Sequence, residues 1–207
     1  MTRMHKIQSS STVSSLDHSV VREYYRRLGP AQIVLDLGCG CGDMGRWKPS
    51  PSIVVYGVDK NPPLVAAASA YEKTQALDLD QGALPFADNF FDAAVAKDIL
   101  EHLLNPGTLL QDVRRVLRLD GRLLVSVPMP RARVVWNDYT HVRGFTKTAA
   151  RQILEDNGFE VNALWKAGGI PLVGRLGLAR WTPVFLSFPP MDWLFGSSYE
   201  LLATKRS

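Results

Sequence analysis

The chain holds only two cysteines, Cys39 and Cys41, a single residue apart. That spacing is too short for an unstrained bridge, so a disulfide scaffold is excluded. With no other Cys and no close His cluster along the sequence, a structural zinc site is excluded as well, and no metal is expected. No run approaches the ~18 to 20 apolar residues that a spanning helix needs. The first residues, Met1 to Gln8, lead into serines rather than into an apolar stretch, so the expected location is cytoplasmic. Histidine is scarce, four residues in 207, and any histidine general base must come from that small set. No internal repeat, basic tail or appended reader domain is visible, which argues against tight binding of nucleic acid.

What is present is an ordinary globular composition, 46% hydrophobic and 21% charged, in a chain long enough for one domain to bury its own core. Residues 1–15 are polar and serine-rich and read as a flexible arm, and residues 16–207 read as one domain. Asp17 has the character of an N-cap. After it Val20, Val21, Tyr24, Tyr25 and Leu28 recur at helical spacing until Gly29-Pro30 ends the helix. Short apolar, β-rich runs follow at 33–37, 53–58, 91–96, 123–127 and 159–164, with a last strand at 199–204. They are continuous, as in strands covered on both faces. Helical segments lie between them, most clearly at 109–117 and at 146–157, the latter closed by Gly158. Alternating strands and helices predict an α/β fold with a Rossmann-like, doubly wound, mostly parallel sheet and helices on both faces.

Directly after the first strand comes Leu35-Asp36-Leu37-Gly38-Cys39-Gly40-Cys41-Gly42, a glycine-dense turn where open α/β sheets bind ligands. Gly40, Gly42 and Gly45 also satisfy the G-x-G-x-x-G spacing of dinucleotide sites. A nicotinamide cofactor, however, places its pyrophosphate at the start of a full helix. Only a helical stub fits between Gly45 and Ile53, because Pro49 and Pro51 interrupt the segment. An NAD-dependent oxidoreductase is therefore disfavoured.

The string from Leu35 to Gly42 resembles the first motif of class I S-adenosylmethionine-dependent methyltransferases, of the type 11 kind, and the resemblance continues in family order over roughly residues 30–165. Val54 to Asp59 is similar to the family's second strand with its terminal acid, which implies that Asp59 accepts hydrogen bonds from the ribose hydroxyls, with Lys60 beside it. Asp78 and Leu79 stand where the family holds the adenine, with Asp80 as the alternative acid. Leu84 to Asp92 resembles the lead into strand four, and Asp98 to Leu103 the helix after it. Arg115 to Gly121 resembles the approach to strand five, with Asp120-Gly121 where many members have two glycines. The resemblance implies a seven-stranded sheet, S-adenosylmethionine as cofactor, and a cofactor site of Asp36, Gly38, Cys39, Gly40, Gly42, Asp59, Lys60, Asp78, Leu79 and Lys97. Cys39 and Cys41 read as small residues in a tight turn. A methyltransferase-like module that binds the cofactor without catalysis is the rival from another class.

Methyl transfer to an alcohol is helped by a general base. His102 reads as a structural or surface position. His141, in Trp136 to Thr146 after strand five, reads either as that base or as a tie between loop and helix, with Thr146 as N-cap. The net charge of +4 also localises here: Arg131, Arg133, Arg143, Lys147 and Arg151 face Asp138 alone, and the rest of the chain is balanced. Such a rim suits an anionic group on a small-molecule, sugar-linked or lipid-linked acceptor. No Asn-Pro-Pro-aromatic string follows strand four, so base methylation of DNA is not expected. An apolar insertion at 168–196 reads as extra core, as a lid, as a homodimer contact, or as a peripheral membrane patch.

Overall fold

The computed structural model describes residues 16–131, 135–168, 184 and 196–206. Asp17 caps α1 (His18–Leu28) by accepting the Ser19 N–H, and Gly29, at φ 71°, ends it. The chain continues through β1 (Ile33–Leu37), the one-turn α2 (Asp43–Arg46), β2 (Val54–Asp59), α3 (Pro62–Ala67), β3 (Lys73–Ala76), β4 (Phe91–Lys97), α4 (Pro106–Val116) and β5 (Leu117–Pro128). After α5 (Lys147–Asp156), which starts at the Thr146 cap, β6 (Phe159–Gly168) and β7 (Gly196–Lys205) complete a seven-stranded sheet.

The strand order is β3-β2-β1-β4-β5-β7-β6, parallel except for β7, which runs antiparallel to both neighbours. Alternate residues of the strands point to opposite faces, and each face has its own core. Leu35, Leu37 and Ala94 pack with Leu109, Leu110 and Val113 of α4 and Leu154 of α5. Val34, Ala93 and Val95 pack with Val21, Tyr24, Tyr25 and Leu28 of α1. This is the doubly wound sheet expected from the pattern of elements, with helices on both faces.

Two local expectations change. Lys73–Ala76 is a strand although it carries no apolar run: it lies at the sheet edge, where pairing with β2 needs backbone rather than buried side chains. Residues 98–103 form a turn rather than a helix, and α4 begins only at Pro106, which fits the first helical position because its missing N–H has no helical partner there. The 1–15 arm and residues 169–183 and 185–195, nearly all of the predicted insertion, lie outside the described residues. Among the described residues no helix is long and apolar enough to cross a membrane.

Candidate active site

The order of strands reverses between β1 and β4, so their carboxyl ends open a crevice, the usual ligand position in such sheets. The glycine loop fills its floor. Gly38 and Cys39 both donate their N–H to the Val58 carbonyl (2.8 and 3.0 Å), pinning the loop to β2. Gly38 stands at φ 73°, and a Cβ there would lie 2.1 Å from Ile99 Cδ1. Only glycine allows that turn with the 98–103 segment packed so closely over it.

Beneath the loop lies Tyr71, which the sequence reading missed. Its ring occupies the space that a Cβ at Gly42, Gly45 or Gly57 would need, with approaches of 3.3, 2.3 and 2.6 Å. Gly45 of the motif and Gly57 of β2 thus make room for one tyrosine, while Gly42 packs first against Ala68 (2.9 Å). Its hydroxyl donates to Asp36, whose carboxyl is buried, and burial raises that carboxyl's pKa to about 7. Asp36 therefore supports the loop from below. Cys39 is buried too, and burial pushes its thiol up, so it behaves as a small core residue.

Asp59, at the end of β2, accepts the Gly40 N–H through Oδ2 (3.0 Å) and the Asn61 N–H through Oδ1 (2.9 Å). Each oxygen keeps a lone pair for a diol, so the residue both holds the loop and matches the ribose role that the family resemblance gives it. Lys60 beside it is exposed. After β3, Leu77 N–H reaches the Asp59 carbonyl (2.9 Å), which brings Asp78 and Leu79 to the same edge. Asp80 instead ties down the approach to α4 by accepting from Leu104 N–H (2.8 Å). That leaves Asp78, exposed, as the freer acid for an adenine. At the end of β4, Lys97 pairs with Asp98, and Asp98, at φ 51°, accepts from Ser126 Oγ (2.9 Å). This left-handed residue turns the chain so that Ile99 reaches Gly38.

The acceptor side is built by the 98–103 turn and the loop after β5. Val142 N–H donates to the Glu101 carbonyl (2.9 Å), and the rings of His102 and His141 meet edge to face with centroids 4.5 Å apart. His141 Nδ1–H donates to the Val135 carbonyl (2.6 Å), leaving Nε2 with its lone pair 3.9 Å from Glu101 Oε1. Glu101 is fully buried, and burial together with the nearby Asp98 charge raises its pKa to about 8. Burial and the neighbouring His141 lower the pKa of His102. The sequence reading set His102 aside as a structural or surface position and passed over Glu101. The signal available was a carboxylate and an imidazole inside the otherwise apolar Ile99 to Leu103. Around this cluster Trp136, Tyr139, Val142 and Leu104 are exposed. Of the basic rim, Arg143 donates to the Leu104 carbonyl and Arg151 pairs with Glu155. Arg133 lies outside the described residues.

Residues 35–125 match the methyltransferase domain family. A probable S-adenosylmethionine-dependent methyltransferase of Mycobacterium tuberculosis is 33% identical over 115 residues, 54% of this chain and 41% of that protein. An O-methyltransferase of Aspergillus sclerotiorum is 27% identical over 176 residues, 74% of this chain and 65% of that protein. The chain thus spans less than two thirds of either relative. Among solved structures, a SAM-dependent methyltransferase from Archaeoglobus fulgidus superposes with a TM-score of 0.71 at 19% identity, covering 91% of this chain and 92% of that one.

Proposed function

We propose that the chain is a class I, S-adenosylmethionine-dependent methyltransferase, as the match of residues 35–125 to the methyltransferase domain family supports, and that it methylates a hydroxyl of a small-molecule, sugar-linked or lipid-linked acceptor. The observation that carries the reading is the Asp59 carboxylate at the rim of the β1–β4 crevice, which holds the Gly40 N–H of the glycine loop and keeps lone pairs to spare. When bound, S-adenosylmethionine supplies an electrophilic methyl group on a sulfonium sulfur. The protein's contribution is to hold the acceptor in line and to exclude water.

The apolar rim of Trp136, Tyr139, Val142 and Leu104 receives the body of the acceptor, and the neighbouring arginines favour an anionic group on it. The acceptor proton is taken on the Glu101–His141 side of the crevice, where Nε2 of His141 is the lone pair presented. One-turn α2 offers no full helix for a pyrophosphate, which sets the nicotinamide reading aside.

Calorimetry with S-adenosylhomocysteine tests the cofactor assignment. Asp59→Ala should weaken binding at least about tenfold, the scale of losing one or two charge-assisted hydrogen bonds. An unchanged affinity removes Asp59 from the site. Stoichiometric binding with no turnover across a broad panel of hydroxylated acceptors would make the chain a cofactor-binding module instead.

A further inference from the structure

We propose that Glu101, His102 and His141 form a binding site for one divalent transition-metal cation at the acceptor mouth. One ligand atom from each of the three lies within 4.8 Å of the other two. The sequence did not show this grouping, because His141 arrives from a different loop than the adjacent Glu101 and His102.

Three independent features of the cluster suit a metal better than a set of mutual hydrogen bonds. First, Glu101 is fully buried, and neither carboxylate oxygen has a hydrogen-bond partner among the described residues. Both oxygens are thus left without a partner among those residues, and a divalent cation is one that would satisfy them. Second, the His141–Glu101 separation of 3.9 Å is too long for a hydrogen bond. Ligand atoms bound to one cation at about 2.0–2.2 Å stand roughly 3–3.5 Å apart, so the gap closes by well under the reach of a side-chain rotation.

Third, both imidazoles are oriented from behind, as metal-bound histidines are. His141 Nδ1–H is committed to the Val135 carbonyl (2.6 Å). His102 Nδ1–H is committed to Thr140 Oγ1 (2.9 Å), because the Thr140 hydroxyl donates its own proton to Asp138 Oδ1 (2.6 Å). Each ring therefore turns an Nε2 lone pair away from its anchor. Two imidazoles and one carboxylate leave positions open on the cation, the arrangement of catalytic rather than structural sites.

The consequence for chemistry rests on the methyltransferase reading, whereas the binding itself does not. A bound cation would take up the Nε2 lone pair of His141 and would itself acidify an acceptor hydroxyl, so the base role given to that nitrogen above belongs to the metal-free chain.

The test uses the full chain stripped with a chelator, titrated with Co²⁺ and followed by calorimetry and by visible absorption. One Co²⁺ per chain with ligand-field bands of low coordination number is expected. Glu101→Gln and His102→Ala should each lower the affinity at least about tenfold, and Thr140→Val, which removes the hydroxyl that anchors His102 together with its bond to Asp138, should lower it less but measurably. His18→Ala serves as the control for adventitious histidine binding and should change nothing. Absence of stoichiometric binding by the wild-type chain, or an affinity unaltered in both Thr140→Val and His102→Ala, overturns the proposal. S-adenosylhomocysteine binding by the same stripped chain is measured in parallel. Cofactor binding without Co²⁺ binding sinks the metal site alone, and the converse sinks the methyltransferase reading alone.

Discussion

At the scale of single residues the site is governed by what burial does to carboxylates. Asp36 sits under the glycine loop with a pKa raised to about 7 from 3.8, first by burial and then by the charges of Asp59 and Asp43, against the opposing hydrogen bond from Tyr71. The folded state therefore holds a proton that the unfolded chain releases near pH 4. This residue's contribution to stability is complete below that pH and is lost as the pH rises through about 7. Asp36→Asn keeps an acceptor for the Tyr71 hydroxyl and removes the charge. It should be stabilising by on the order of 1–3 kcal/mol at pH 8, with the gain shrinking toward pH 4, as read from urea midpoints at the two pH values. A difference that does not vary with pH would mean that Asp36 is ionised in the fold. The position of Asp36 was legible in the sequence from its place in the glycine motif. Its role as a support was not, because that depends on Tyr71, which stands 35 residues away in a stretch with no motif of its own.

At the scale of elements, the helix that precedes the sheet is locked to its far side by charges. Arg27, its side chain only 6% exposed, lies between Glu23 of its own helix (2.8 Å) and Glu200 of β7, with its guanidinium 4.4 Å over the Trp165 ring of β6. Tyr24 donates to the same Glu200 (3.0 Å). Glu200→Ala leaves a buried guanidinium with half its partners and should cost about 3–5 kcal/mol in chemical denaturation, whereas Tyr24→Phe should cost about 1 kcal/mol. Adding Arg27→Met to Glu200→Ala should recover part of the loss, and strict additivity would show that the pair is not coupled. The helix itself was legible, since its apolar spacing and both caps are local signals. The pairing with Glu200 was not, because β7 reaches it only through the sheet order. The same distinction explains the two altered elements. Buried strands announce themselves by apolar runs, but the edge strand β3 has no need of one. Residues 98–103 have good helix-forming composition, yet the left-handed Asp98 at one end and Asn105-Pro106 at the other leave a turn between them.

At the scale of the whole molecule, the cofactor cradle joins segments that are otherwise separate: the loop after β1, the ends of β2 and β4, and the stretch after β3. A ligand that touches all of them stabilises the folded chain and not the unfolded one. At a hundredfold excess over its Kd the stabilisation is about 2.7 kcal/mol, and for a chain of this size each kcal/mol corresponds to roughly 2–4 °C. S-adenosylhomocysteine should therefore raise the melting temperature by about 5–10 °C, and NADH at equal concentration should leave it unchanged. The Asp59→Ala chain should lose about half of the shift or more, because a roughly tenfold weaker Kd cuts the stabilisation at the same concentration to about 1.4 kcal/mol. The charge balance was legible at this scale only in part: the excess lies in 131–151, as the sequence arithmetic indicates, yet Arg143 and Arg151 already bind a carbonyl and a carboxylate within the fold. Melting in the presence of cofactor product separates the two contributions, since an anion site made by the rim alone would respond to added phosphate and to NADH alike. A shift produced by NADH as large as that produced by S-adenosylhomocysteine would show a general anion effect and would return the nucleotide assignment to question.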